Sequence, residues 1–96
     1  MSALPWRVVF FGTPSFALPS LQALILGPDE VVAVVTQPDR EKGRGRKVAS
    51  SSVKELALQK GVFLLQPKRV KEEPFQETLR NLKPDLFIVV AYGQIL

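Results

Sequence analysis

The chain has 96 residues, 46% of them hydrophobic, with 13 Lys and Arg against 9 Asp and Glu for a formal net charge of +4. That length fits one domain or part of one, and that apolar content is enough to bury a core. With no cysteine and no histidine, these residues hold no disulfide, thiolate nucleophile, Cys or His metal ligand, or His general base.

Residues 7–13 (RVVFFGT) form a short β-branched and aromatic run closed by Gly12, the signature of a buried strand. Leu21, Leu24 and Ile25 recur at helical spacing, with Pro19 suited to a first helical position and Gly27-Pro28 to a stop. Residues 13–18 are then expected as a loop. Residues 30–36 (EVVAVVT) read as a second buried strand. Further on, Ser52 and Glu55 have capping-box spacing, and Val53, Leu56 and Ala57 give the helix after them an apolar stripe ended by Gly61. Residues 62–65 read as a third strand, Phe75, Leu79 and Leu82 mark a third helix stopped before Pro84, and residues 86–91 (LFIVVA) read as a fourth strand. Glu72 and Glu73 suit the positive end of the third helix, and Asp85 a turn.

This β-α-β-α-β-α-β order predicts an α/β, Rossmann-like parallel sheet with helices on both faces. The first strand should lie between the fourth and the second. Ligands of such sheets bind beyond the carboxyl ends of the strands, where the winding reverses. That places Gly12-Thr13-Pro14 and the residues from Ala91 to Gln94 at the predicted cleft. The fourth strand would present an open apolar edge, so the sheet is expected to continue in a longer protein. No apolar run reaches the ~20 residues of a membrane span, and MSALPWRVVFFG lacks the pattern of a signal peptide. A cytoplasmic location is expected, or an organellar matrix in a eukaryote.

The charge is concentrated. Between Asp39 and Lys47 stand Arg40, Lys42, Arg44, Arg46 and Lys47, against Asp39 and Glu41 alone. The remainder of the chain is close to balance. Such a loop can be merely a solvated turn. It can also bind phosphates, with Gly43 and Gly45 letting the backbone approach a polyanion and Arg44 free to reach between them. The loop has no aromatic residue on which bases would stack. A dinucleotide site is a poor fit, because Gly12 stands alone and Thr36-Gln37 follow the second strand where an acidic residue would hold a ribose. Without a histidine, Thr13 and Ser15 are better read as turn and cap residues than as nucleophiles.

Five segments in order resemble methionyl-tRNA formyltransferases: FGTPSFA from Phe11, VVTQPDR from Val34, GRGRK from Gly43, then Ser51 with VKELA from Val53, and VVAYGQIL from Val89. The resemblance covers nearly the whole chain from Arg7. It implies an N-terminal portion (1–96) of a formyltransferase catalytic domain, with the rest of that domain and a C-terminal domain absent. It also implies transfer of formyl from 10-formyltetrahydrofolate to the amino group of methionyl initiator tRNA, without a metal, by a protein that is monomeric at full length. By the same resemblance Arg40, Lys42, Arg44, Arg46 and Lys47 contact the tRNA acceptor stem. Gly12, Thr13, Tyr92, Gly93, Gln94, Ile95 and Leu96 belong to the folate cleft, the last three facing the pterin largely through backbone groups. The catalytic Asn, His and Asp of the family lie beyond the fourth strand, so no catalytic residue is expected in this chain.

The sequence departs from the family at Glu41, Ser50 and Ser52, where prolines are usual. These changes should raise the cost of ordering the loop on RNA. Other readings are an amino-sugar formyltransferase or a formyltetrahydrofolate hydrolase domain of the same fold, and a non-catalytic RNA-binding module.

Overall fold

A computed structural model describes residues 5–13, 15–38, 51–90 and 92, with the backbone alone of 40–42 and 47–49. Four strands form one parallel sheet: β1 (Arg7–Gly12), β2 (Glu30–Val35), β5 (Leu64–Leu65) and β6 (Leu86–Val90), in the order β5-β2-β1-β6. The expected central place of the first strand is observed. Two more strands, β3 (Arg40–Lys42) and β4 (Lys47–Ala49), pair antiparallel as a separate ribbon. The basic stretch is therefore not wholly the loop expected of it.

The strands alternate their side chains between two apolar layers, as period-two geometry requires. Phe10 and Val34 pack with Leu21 of α1 (Leu18–Leu26) and with Val53, Leu56 and Ala57 of α2 (Ser52–Gln59). Val9, Phe11, Ala33 and Val35 pack on the other face with Phe75 and Leu79 of α3 (Glu73–Leu82). Burial of each large core side chain stabilises by about 1.5–3 kcal/mol, which sets the continuous apolar runs of β1 and β2 as the centre of the fold. A register shift between Val8 and Val9 passes over Val32 in the pairing of β1 with β2.

Two local expectations are corrected. Residues 15–17 form a 3-10 turn and α1 begins at Leu18, with Pro19 in its first turn, so the loop is shorter than expected. The cap of α2 is Ser51 rather than Ser52. The Lys54 amide donates to Ser51 Oγ at 3.0 Å, which makes Lys54 the third helical residue and leaves Glu55 one place too late for a reciprocal capping box. Ser51→Ala should therefore cost about 1 kcal/mol and Ser52→Ala close to nothing, read as urea midpoints of the two variants. A larger loss from Ser52→Ala than from Ser51→Ala would return the cap to Ser52.

The amino edge of the sheet is tied by charged groups. The Arg7 amide donates to Asp85 Oδ2 and the Trp6 amide to Asp29 Oδ1, at 2.7 and 3.0 Å. The Arg7 guanidinium donates to the Leu82 carbonyl at the end of α3 and reaches Glu30. Asp85 is thus a latch on β1 as well as a turn residue. Lys83 ends α3 in the left-handed region at φ 52°, followed by Pro84. Glu73, in the first turn of α3, pairs with Arg80 at 2.6 Å.

Candidate functional site at the carboxyl edge of the sheet

Among the described residues that directly follow β1, β2 and β6, the opposite edge is built from neutral groups. β1 and β6 run side by side with Gly12 opposite Val90, so the winding reverses there as expected. Gly12 is glycine for space rather than for a positive φ. A Cβ on it would lie 2.8 Å from Phe10 Cε2, 3.0 Å from the Val90 carbonyl oxygen and 3.1 Å from Ala17 Cβ.

The residues after the strands meet around Gln37. Its amide N–H donates to Thr13 Oγ1 at 3.1 Å, and its side-chain Nε2 donates to the Tyr92 carbonyl at 2.9 Å. Its own carbonyl accepts from Gln66 Nε2 and Thr36 Oγ1, both at 3.2 Å. One residue thus joins the ends of β1, β2, β5 and β6. The Thr13 hydroxyl is occupied in this tie, in keeping with a turn role rather than a nucleophilic one.

Tyr92 is 3% exposed, with its ring set edge-on to Phe11 at 5.4 Å. Its hydroxyl is buried and has no hydrogen-bond partner among the described residues. Burial raises its pKa above the ordinary tyrosine value, so the ring is neutral at physiological pH. The described part of this edge offers amides, hydroxyls and apolar surface, with no group suited to proton transfer near neutral pH. It can bind and orient a ligand. On the α3 face a cavity of about 410 Å³ opens between Phe11, Val70, Phe75, Leu79 and Phe87. Phe87 and Val89 of β6 are half exposed beside it.

The ribbon leaves the same edge, its first residue Arg40 three places after Gln37. Lys42 pairs with Lys47 and Arg40 with Ala49. This register sets positions 40, 42 and 47 on one face of the ribbon and positions 41 and 48 on the other. Arg44 and Arg46, like Gly93, Gln94, Ile95 and Leu96, lie outside the described residues. The sequence pointed to Gly12, Thr13 and Tyr92, which do meet at this edge. It did not point to Gln37 or Gln66 as ties. The one available signal was a long neutral amide placed directly after a buried strand.

A family model described as formyl transferase matches residues 6–96. Among curated relatives, the methionyl-tRNA formyltransferase of Magnetococcus marinus is 57% identical over 91 residues, covering 95% of this chain and 29% of the relative. That of Caldanaerobacter subterraneus is likewise 57% identical over 91 residues, covering 94% of the chain and 29% of the relative. That of Desulfotalea psychrophila is 54% identical over 90 residues, covering 94% and 28%. The chain thus spans less than a third of the length of these relatives.

Proposed function

The chain belongs to the formyl transferase family, and from that premise we propose that it is the N-terminal portion of the catalytic domain of a methionyl-tRNA formyltransferase. The longer protein takes formyl from 10-formyltetrahydrofolate and places it on the amino group of methionyl initiator tRNA. It acts as a monomer in the cytoplasm. The observation that supports this reading is the common origin of two features at one edge: the carboxyl ends of β1 and β6, where the winding reverses, and the paired strands β3 and β4, which follow β2 in the basic stretch of the sequence.

Each feature suits one substrate. Arg40, Lys42, Arg44, Arg46 and Lys47 supply the charge that neutralises acceptor-stem phosphates. Gly12, Thr13 and Tyr92, with Gly93 to Leu96, form the wall against which the folate is oriented. In the reaction the methionyl nitrogen attacks the formyl carbon. A carbon–nitrogen bond forms there, the bond from the formyl carbon to the folate nitrogen breaks, the amine loses its extra proton and the folate nitrogen gains one. This chain contains no histidine to carry those protons. Its share of the work is binding and orientation, which brings amine and formyl carbon within reach. Proton transfer and oxyanion stabilisation fall to residues outside it.

The direct test is transfer of labelled formyl from 10-formyltetrahydrofolate to initiator methionyl-tRNA, with the longer protein assayed beside the 96-residue chain. Transfer is expected from the longer protein and none from the chain alone. A folded longer protein that leaves methionyl-tRNA unformylated would move the reading to an amino-sugar acceptor or to hydrolysis of the donor. Turnover by the isolated chain would refute its division of labour.

A further inference from the structure

We infer that Gln37 is a positioning residue serving the folate cleft and the RNA-binding ribbon together, an inference that rests on the functional reading above. The geometry allows this because its backbone N–H, its carbonyl and its side-chain amide bond to residues that follow three other strands. The side-chain amide donates to the Tyr92 carbonyl, at the position that leads into Gly93 and Gln94. The backbone N–H is held by Thr13 at the end of β1, and the carbonyl is held by Gln66 after β5. Pro38 follows at once, and its ring fixes φ near −65°. Gln37 and Pro38 are thus the last described residues before the ribbon, which begins at Arg40. A shift of Gln37 moves the wall of one site and the root of the other.

Two properties separate this role from simple packing. Gln37 is only partly buried, so its side chain contributes little apolar area to the core. Its bond to Tyr92 spans 55 residues and requires a donor at the side-chain terminus. Methionine keeps the length of the side chain and removes the donor. Glutamate keeps the shape and replaces the donor with a carboxylate oxygen, which repels a carbonyl until it is protonated.

The test uses the longer protein as wild type, Gln37→Met and Gln37→Glu, with equilibrium binding of tetrahydrofolate and, separately, of uncharged initiator tRNA. Gln37→Met is expected to weaken both ligands, each by about 3- to 10-fold, as the loss of one hydrogen bond allows. Its Tm should stay within a few degrees of wild type. Gln37→Glu is expected to weaken tetrahydrofolate more at pH 8. Measured against wild type at each pH, it should recover as the pH falls toward about 5, where a partly buried carboxyl takes up a proton and becomes a donor. A packing role alone would give no such recovery. The inference is overturned if Gln37→Met affects one ligand only or neither, or if the Gln37→Glu defect is independent of pH. Wild type that binds both ligands but transfers no formyl would reject the proposed reaction and leave the two binding constants as a valid test. Wild type that binds neither would reject both.

Discussion

Arg44→Ala in the longer protein should lower kcat/KM for initiator methionyl-tRNA by about 10- to 100-fold while the KM for the folate donor stays near wild type. Arg44 stands between Gly43 and Gly45, at the centre of the segment that joins the paired strands β3 and β4. It is flanked in sequence by Arg40, Lys42, Arg46 and Lys47, which concentrate positive charge around it. A guanidinium offers five donors in a planar fork and binds phosphate oxygens in pairs, which lysine cannot reproduce. Arg44→Lys should accordingly recover only part of the loss. Binding of the RNA should also become less sensitive to salt, the log–log slope shrinking by about one unit when one phosphate contact is removed. Unchanged RNA kinetics and an unchanged slope would reduce the ribbon to a solvated surface feature. An equal loss with a free amino-sugar acceptor would argue against RNA as its partner.

Gly12→Val should destabilise the protein by about 1–3 kcal/mol, the usual penalty of overpacking, and weaken folate binding with it. The first added carbon already meets Phe10, the Val90 carbonyl and Ala17 at 3.1 Å or less. Phe10 is fully buried between the sheet and the helices α1 and α2, so its ring has little room to withdraw. The Val90 carbonyl belongs to the backbone of β6, which is registered opposite Gly12. Relief therefore requires β1 and β6 to part at the cleft. Alanine should produce a smaller loss in the same direction, because it adds one carbon where valine adds three. A lower urea midpoint at unchanged slope would register this effect. A midpoint equal to wild type for Gly12→Val would show that the two strands separate freely at this end.

The sheet was legible in the sequence for a physical reason. β1 and β2 are covered on both faces, so their residues are apolar without alternation, and the helices α1, α2 and α3 carry stripes at Leu21, Leu56, Phe75 and Leu79 that are in fact buried. Winding rules then supply the order. Finer features lack such a signal. Ser51, Ser52 and Ser50 are chemically alike, and a one-residue difference in helix start decides which caps and whether Glu55 can answer it. β3 and β4 are three residues each and carry charge in place of an apolar alternation, so nothing in their composition marks them as paired strands. The Gln37 ties to Thr13, Gln66 and Tyr92 reach across 24, 29 and 55 residues. Contacts of that separation leave no local pattern. They follow from the topology, which brings four strand ends to one edge.

The latch between Arg7 and Asp85 joins residues 78 positions apart, because β1, the first strand of the described chain, is an inner strand of the sheet and its neighbour β6 comes last. On a ribosome adding about 5–20 residues per second, roughly 4–16 s separate the synthesis of its two ends. Once residues 30–35 have been made, the Val8–Phe11 segment can acquire β2 on one side while the other side waits for β6. The nascent polypeptide therefore carries the buried apolar run of β1 half-paired for seconds, long after local helices have formed in microseconds. Slowing translation between residues 30 and 85 would prolong that exposure and increase the demand for chaperone protection, whereas faster elongation across the same span would shorten it.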